Sequence, residues 1–162
     1  MHRANLSDPE ITYDDADPDG FRSGMFRLGT RFGARQTGTS LYEIPPGQAL
    51  CPYHYEYGEE EWLLVLSGTP SVRTPDGTEC LAPSDVVFFP TGPEGAHQVL
   101  NETDEPTRVL MWSTIVTPTA TAYPDSDKIG IWTGDKAQDV MAPRSANVDY
   151  YHGESREPPA RP

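Results

Sequence analysis

Between Thr37 and Val116, runs of apolar and β-branched residues alternate with turns built on proline and glycine. Thr37 to Ile44 and Leu50 to Tyr57 read as strands flanking Pro45-Pro46-Gly47. The run Trp62-Leu63-Leu64-Val65-Leu66 reads as the next strand, with Glu61 at its entrance and the turn former Gly68 beyond its end. Val72 to Thr74 and Thr78 to Leu81 flank Pro75-Asp76-Gly77, a hairpin signal in which proline presets the turn and glycine accepts positive φ. Val86 to Phe89, Gln98 to Asn101 and Thr107 to Val116 complete the series, and Ile129-Gly130-Ile131-Trp132 reads as an added edge strand. Short strands at this spacing predict an all-β chain, a sandwich or barrel with little helix. Residues 1–36 read as an irregular N-terminal arm, residues 37–133 as the barrel, and residues 134–162 as a polar C-terminal tail that frays at Pro158-Pro159-Ala160-Arg161-Pro162.

Composition narrows the partners. A chain of 162 residues suffices for one domain with a single core, and its 17 prolines and 14 glycines suit turns better than helices. Against 12 basic side chains stand 25 acidic ones, a formal charge of -13 that disfavours nucleic acid and anionic membrane as partners. Cys51 and Cys80 are too few for a disulfide framework and form no Cys-x-x-Cys pair. The start, Met1 to Pro9, has no apolar signal core and no stretch approaches a membrane span, so a cytoplasmic location is expected.

The candidate chemistry lies in Tyr53-His54-Tyr55-Glu56-Tyr57-Gly58-Glu59-Glu60-Glu61 and in His97, some way downstream in a Pro/Gly-rich turn. On an extended strand successive side chains alternate faces, so His54 and Glu56 point one way. Tyr53, Tyr55 and Tyr57 point the other, to pack against a second sheet, an arm or another subunit. Two imidazoles and a carboxylate in this order suggest a metal site.

The whole pattern resembles the cupin superfamily. Its first motif, a glycine, a His-x-His pair, a glutamate and a second glycine, corresponds to Gly47, His54-x-Glu56, Glu61 and Gly68. Its second, Gly, Pro-x-Gly, His and Asn, corresponds to Ser84, Pro90-Thr91-Gly92, His97 and Asn101. The step to Gly68 selects Glu61 over Glu59 and Glu60. The resemblance implies a cupin-type antiparallel β-barrel or jelly roll, with His54, Glu56, Glu61 and His97 meeting inside it around a divalent metal ion. The family's habit, with the tyrosine-rich strand, also implies a homodimer. Three departures stand out: Glu56 takes the place of a second histidine, Ser84 replaces a glycine, and the Pro93-Glu94-Gly95-Ala96 turn is longer than the usual form.

These donors suit Fe, Mn, Zn or Ni and do not select one of them. Glu56 is either a fourth ligand or a catalytic base, and Gln98 and Trp112 are candidate contacts for a small-molecule ligand. The leading expectation is a metal-dependent enzyme of dioxygenase type. Behind it stand a non-catalytic binding or sensing domain with a structural or absent metal, and a sugar-type isomerase or epimerase. In the metal-free alternative the two histidines are hydrogen-bonded in a polar pocket and Glu56 pairs with an imidazolium.

Overall fold

The structure, a computed structural model, describes residues 1–156; residues 157–162, with the expected frayed end, lie outside the described residues. In chain order the strands are β1 (Thr12–Tyr13), β2 (Gly24–Phe26), β3 (Thr37–Ile44), β4 (Tyr55–Glu56), β5 (Glu61–Ser67), β6 (Ser71–Thr74) and β7 (Gly77–Cys80). They continue with β8 (Val86–Phe89), β9 (Gln98–Leu100), β10 (Thr107–Thr114), β11 (Thr119–Tyr123), β12 (Lys128–Trp132) and β13 (Val140–Pro143). One short helix, α1 (Leu28–Phe32), precedes β3. The strands pair antiparallel in three sheets, ordered β1-β2-β3-β10-β5-β8, β13-β12-β11-β4 and β7-β6-β9. The fold is the expected all-β antiparallel barrel. Among the described residues no helix is long and apolar enough to cross a membrane.

The period-two alternation places one face of the large sheet inside. Ile44, Leu63, Val65, Phe89 and Val109 point inward and meet Val72 and Val99 of the three-stranded sheet in the main core. The opposite face of the same sheet is partly covered by the N-terminal segment: Phe26, Leu28 and Leu41 form a second cluster that gathers Leu6, Ile11, Leu66 and Leu110. Residues 1–36 are therefore more than an irregular arm, since β1 and β2 extend the sheet and α1 seals it. Similarly, Ile129 to Trp132 lie in β12, which is flanked on its far side by β13, so the edge strand comes from the presumed tail.

The long strand expected over Leu50 to Tyr57 shrinks to β4, with isolated bridges at Ala49 and His54. Pro52 has no N–H to give a ladder, and two carbonyls of the segment are taken by side chains: Gln98 Nε2 donates to Cys51 O at 3.0 Å and His54 Nδ1 to Pro52 O at 3.0 Å. Tyr53 and Tyr55 pack within the chain against Ala96 and Ala122, leaving only Tyr57 of the three exposed. They do not form an outward face for a second subunit. Cys51 and Cys80 are both free thiols.

Ser84, at the family's glycine position, adopts φ 78° on an exposed turn. A residue with a Cβ pays roughly 1 kcal/mol for that left-handed conformation. Ser84→Gly is thus expected to stabilise the fold by a few tenths to about 1 kcal/mol, readable as a raised urea midpoint at unchanged slope; a lowered midpoint would show that the serine side chain is needed.

Candidate metal centre

His54 and His97 are brought side by side by their own backbones. His54 N–H donates to His97 O at 3.1 Å and His97 N–H donates back to His54 O at 2.8 Å, leaving the ring centroids 4.6 Å apart. Glu61 opens β5 on the same inward face as Leu63 and Val65, and so points at the pair.

Each ring is held by its Nδ1. His97 Nδ1 donates to Gly95 O at 2.9 Å and His54 Nδ1 to Pro52 O at 3.0 Å, so the Nε2 lone pair of neutral His97 faces the site, and that of His54 does so once its second proton leaves. They converge on one oxygen: Glu61 Oε2 lies 3.7 Å from His54 Nε2 and 3.6 Å from His97 Nε2. Donor atoms of the three residues all lie within 4.8 Å of one another. His97 is 1% exposed, stacks on Phe89 at 3.7 Å between centroids, and its Nε2 has no hydrogen-bond partner among the described residues. An orphaned buried acceptor costs about 1–3 kcal/mol. A divalent ion would relieve that cost, and backbone carbonyls that orient the far nitrogen are the usual support of an imidazole ligand. The residues present fit a metal.

Without an ion the cluster holds one proton unequally. Burial works against charge on His54, but the Cys51 sulfur at 3.6 Å and the Glu61 carboxylate outweigh it, pushing its pKa up to about 11. Burial and the neighbouring His54 charge hold His97 down to about 4. Burial also opposes ionisation of Glu61, yet the two imidazoles win and keep its pKa below the usual carboxylate range. A cation entering the site must displace the His54 proton. Apparent metal affinity is therefore expected to rise with pH, by about tenfold per unit between roughly pH 5 and 8. Calorimetric titrations in buffers of different ionisation enthalpy measure the released proton directly; a pH-independent affinity contradicts the assignment.

Glu56 stands beside this set, outside it. Its Oε1 is 3.9 Å from His54 Nε2, and both carboxylate oxygens accept from Thr121 Oγ1 at 2.8 Å. Thr121 in turn accepts from Trp132 Nε1 at 2.6 Å, which fixes the direction of its hydroxyl proton toward Glu56. Burial lifts the Glu56 pKa to about 7; the Thr121 bond opposes this and the Glu61 charge adds to it. The donors around His54 open into a cavity of about 640 Å³ whose walls include Leu50, Pro52, Met111, Phe21 and Tyr42.

Two expected substrate contacts lie elsewhere. Trp112 is directly across from Trp62 and stacks on it, and Trp62 is across from Phe88, whose ring is tilted against it; the three form an aromatic row on the outer face of the large sheet, with Phe88 41% exposed. Trp62 follows the inward Glu61 by one position, so alternation turns it and its partner Trp112 outward. Gln98 likewise follows the inward His97 and is spent holding the Cys51 carbonyl. Sequence reasoning missed Thr121, Tyr123 and Lys128, which reach the site from the four-stranded sheet: Thr121 pairs with Glu56, the Tyr123 ring stacks on His54 at 6.1 Å, and Lys128 lines the cavity. The polar alternation Thr119, Thr121, Tyr123 was the available signal.

The longer turn has a definite use. Pro93–Gly95 forms a 3-10 turn whose Gly95 carbonyl anchors His97. A Cβ on Gly95 would run into the Pro90 carbonyl. Gly95→Ala is expected to cost about 1–3 kcal/mol and to weaken metal binding with it, measured by denaturation and by metal titration of the same preparation. Unchanged metal affinity would dissociate the turn from the site.

Residues 40–113 match the family model of the cupin domain. No curated protein matches the chain. Among solved structures, a putative sugar phosphate isomerase from Acidithiobacillus ferrooxidans is 24% identical, covers 89% of this chain and 91% of its own, and superposes with a TM-score of 0.78. A sugar phosphate isomerase of the cupin superfamily from Silicibacter pomeroyi is 23% identical over 90% of this chain and 94% of its own, with a TM-score of 0.78. A polyketide cyclase from Streptomyces resistomycificus is 22% identical over 74% of this chain and 83% of its own, with a TM-score of 0.60. At these identities the likeness shows the fold.

Proposed function

We propose that the chain is a metal-dependent enzyme that moves a proton next to a carbonyl of a small substrate, an isomerase-type reaction. The observation that carries this reading is the division of labour among the acidic groups: Glu61 converges with both Nε2 atoms, while Glu56 is held just outside by Thr121. A divalent ion on His54, Glu61 and His97 would polarise the substrate carbonyl as a Lewis acid. Glu56 takes the proton from the adjacent carbon on one carboxylate oxygen and returns it to the neighbouring position, with Thr121 orienting the carboxylate. Leu50, Pro52 and Met111 give the cavity apolar wall beside these polar groups. The names of two solved structures with this fold, both sugar phosphate isomerases, support the same class of chemistry.

The oxygenase expectation is retained as a second reading, because two histidines and one carboxylate leave open positions of the kind non-haem iron oxygenases use. One experiment separates them. Metal-loaded protein incubated in deuterated water with a panel of small aldoses and ketoses, free and phosphorylated, is expected to exchange the proton α to the carbonyl without consuming dioxygen. Glu56→Gln should reduce exchange by about a hundredfold or more at unchanged metal content. Dioxygen uptake coupled to substrate loss would move the assignment to the oxygenase.

A further inference from the structure

Among the described residues the cavity has one cationic side chain on its wall, Lys128, and no carboxylate pairs with it. Acidic residues outnumber basic ones by 25 to 12, and four of the arginines find a carboxylate partner. Arg73 pairs with Asp125, Arg108 with Glu43, Arg31 with Glu10 and Arg22 with Asp19. Lys128 forms no ion pair among the described residues. It opens β12 opposite Tyr123 of β11, and a directly paired antiparallel couple shares one face, so both side chains point to the side from which Thr121 reaches Glu56. The ammonium lies 5.4 Å from the centre of the Tyr123 ring, whose other neighbour is His54. The row Glu56, Thr121, Tyr123, Lys128 thus runs along one wall of the site, from the proposed base to a half-buried cation.

We infer that Lys128 forms the subsite for an anionic group of the substrate, with Tyr123 as its floor, so that the substrate is a small carbonyl compound carrying a phosphate ester or a carboxylate. This rests on the proposed reaction at the same cavity and specifies its substrate class. The ammonium is a compact point charge suited to either anion, and it shares the cavity wall with apolar Pro18 and Leu50. Asp17 also lies on the wall and repels a second negative group, which favours substrates with one anionic end.

The test uses inorganic phosphate and acetate as probes for the two anion sources, titrated calorimetrically into the full chain with and without a bound divalent ion. The protein variants are wild type, Lys128→Met and Lys128→Arg. Methionine keeps the apolar stem and removes the charge; arginine keeps the charge. Wild type should bind at least one probe, Lys128→Met should weaken it about tenfold or more, and Lys128→Arg should retain most of it, with metal content per chain equal in all three. The probe that binds more tightly identifies the substrate's anionic group. Binding that Lys128→Met leaves unchanged overturns the assignment, as does binding that disappears only when the metal is removed, since the anion then sits on the ion. Failure of both probes to bind wild type overturns it as well. If the chain holds no metal yet binds a probe through Lys128, the isomerase reading fails while the anion subsite stands.

Discussion

His97→Ala is expected to lower the affinity for a divalent ion by about a hundredfold or more, with His54→Ala close behind. The reasoning follows from the donor count. Two imidazoles and one carboxylate are the whole convergent set among the described residues, and Glu56 is turned to Thr121. Removing either ring leaves too few donors to compete with water. His97 is also packed face to face with Phe89, so alanine leaves a cavity and a stability loss of about 2 kcal/mol or more. His97→Gln, which fills most of the volume and lacks the imidazole lone pair at that position, separates the two effects. Retained metal in His97→Ala at wild-type affinity would mean that the ion, if any, is held elsewhere.

The second large effect is structural. Asn101 is fully buried and its side chain is completely used: Nδ2 donates to Ile44 O at 2.7 Å and Glu105 O at 2.9 Å, while Oδ1 accepts from Thr103 N–H at 3.0 Å and Thr103 Oγ1 at 2.7 Å. It pins the end of β9 to the end of β3 and shapes the turn into β10. Asn101→Ala strands several of these groups away from water, each at about 1–3 kcal/mol, and should cost about 3 kcal/mol in all. Urea unfolding of the metal-free protein measures this without interference from ligand linkage. Asn101→Asp keeps the two acceptor contacts but turns a buried carboxylate oxygen toward the Ile44 and Glu105 carbonyls, and should not recover the loss. A cost below about 1 kcal/mol would mean that water replaces the side chain.

Why some of this was legible in the sequence, and some was not, follows from the range of the forces involved. Strands bounded by proline and glycine, such as Thr37 to Ile44 and Val86 to Phe89, are found where local turn chemistry places them. His54, Glu61 and His97 were legible because motif spacing and turn residues travel together. The short β4 was not, because the carbonyls that a strand would use are claimed by Gln98 and His54, distant or unpredictable partners. Two-residue β1 carries too little pattern to be seen; it exists because β2 offers an edge and Leu6 and Ile11 have a face to cover. Trp112 was misplaced because aromatic character alone does not choose a face. Its partner Trp62 follows Glu61 by one position, and that parity places both rings outside. Tyr123 and Lys128 depend on sheet register between segments, which no local pattern encodes.

The central claim, one divalent ion on His54, Glu61 and His97, is tested most directly by elemental analysis of the wild-type chain after exposure in turn to Zn, Mn, Fe and Ni and removal of loose ions by dialysis. About one ion per chain for at least one of these metals, lost in His97→Gln and retained in Glu56→Gln, is the predicted result. Wild-type protein that retains none of the four would contradict it, and would leave the chain a binding module whose paired histidines are held by hydrogen bonds alone.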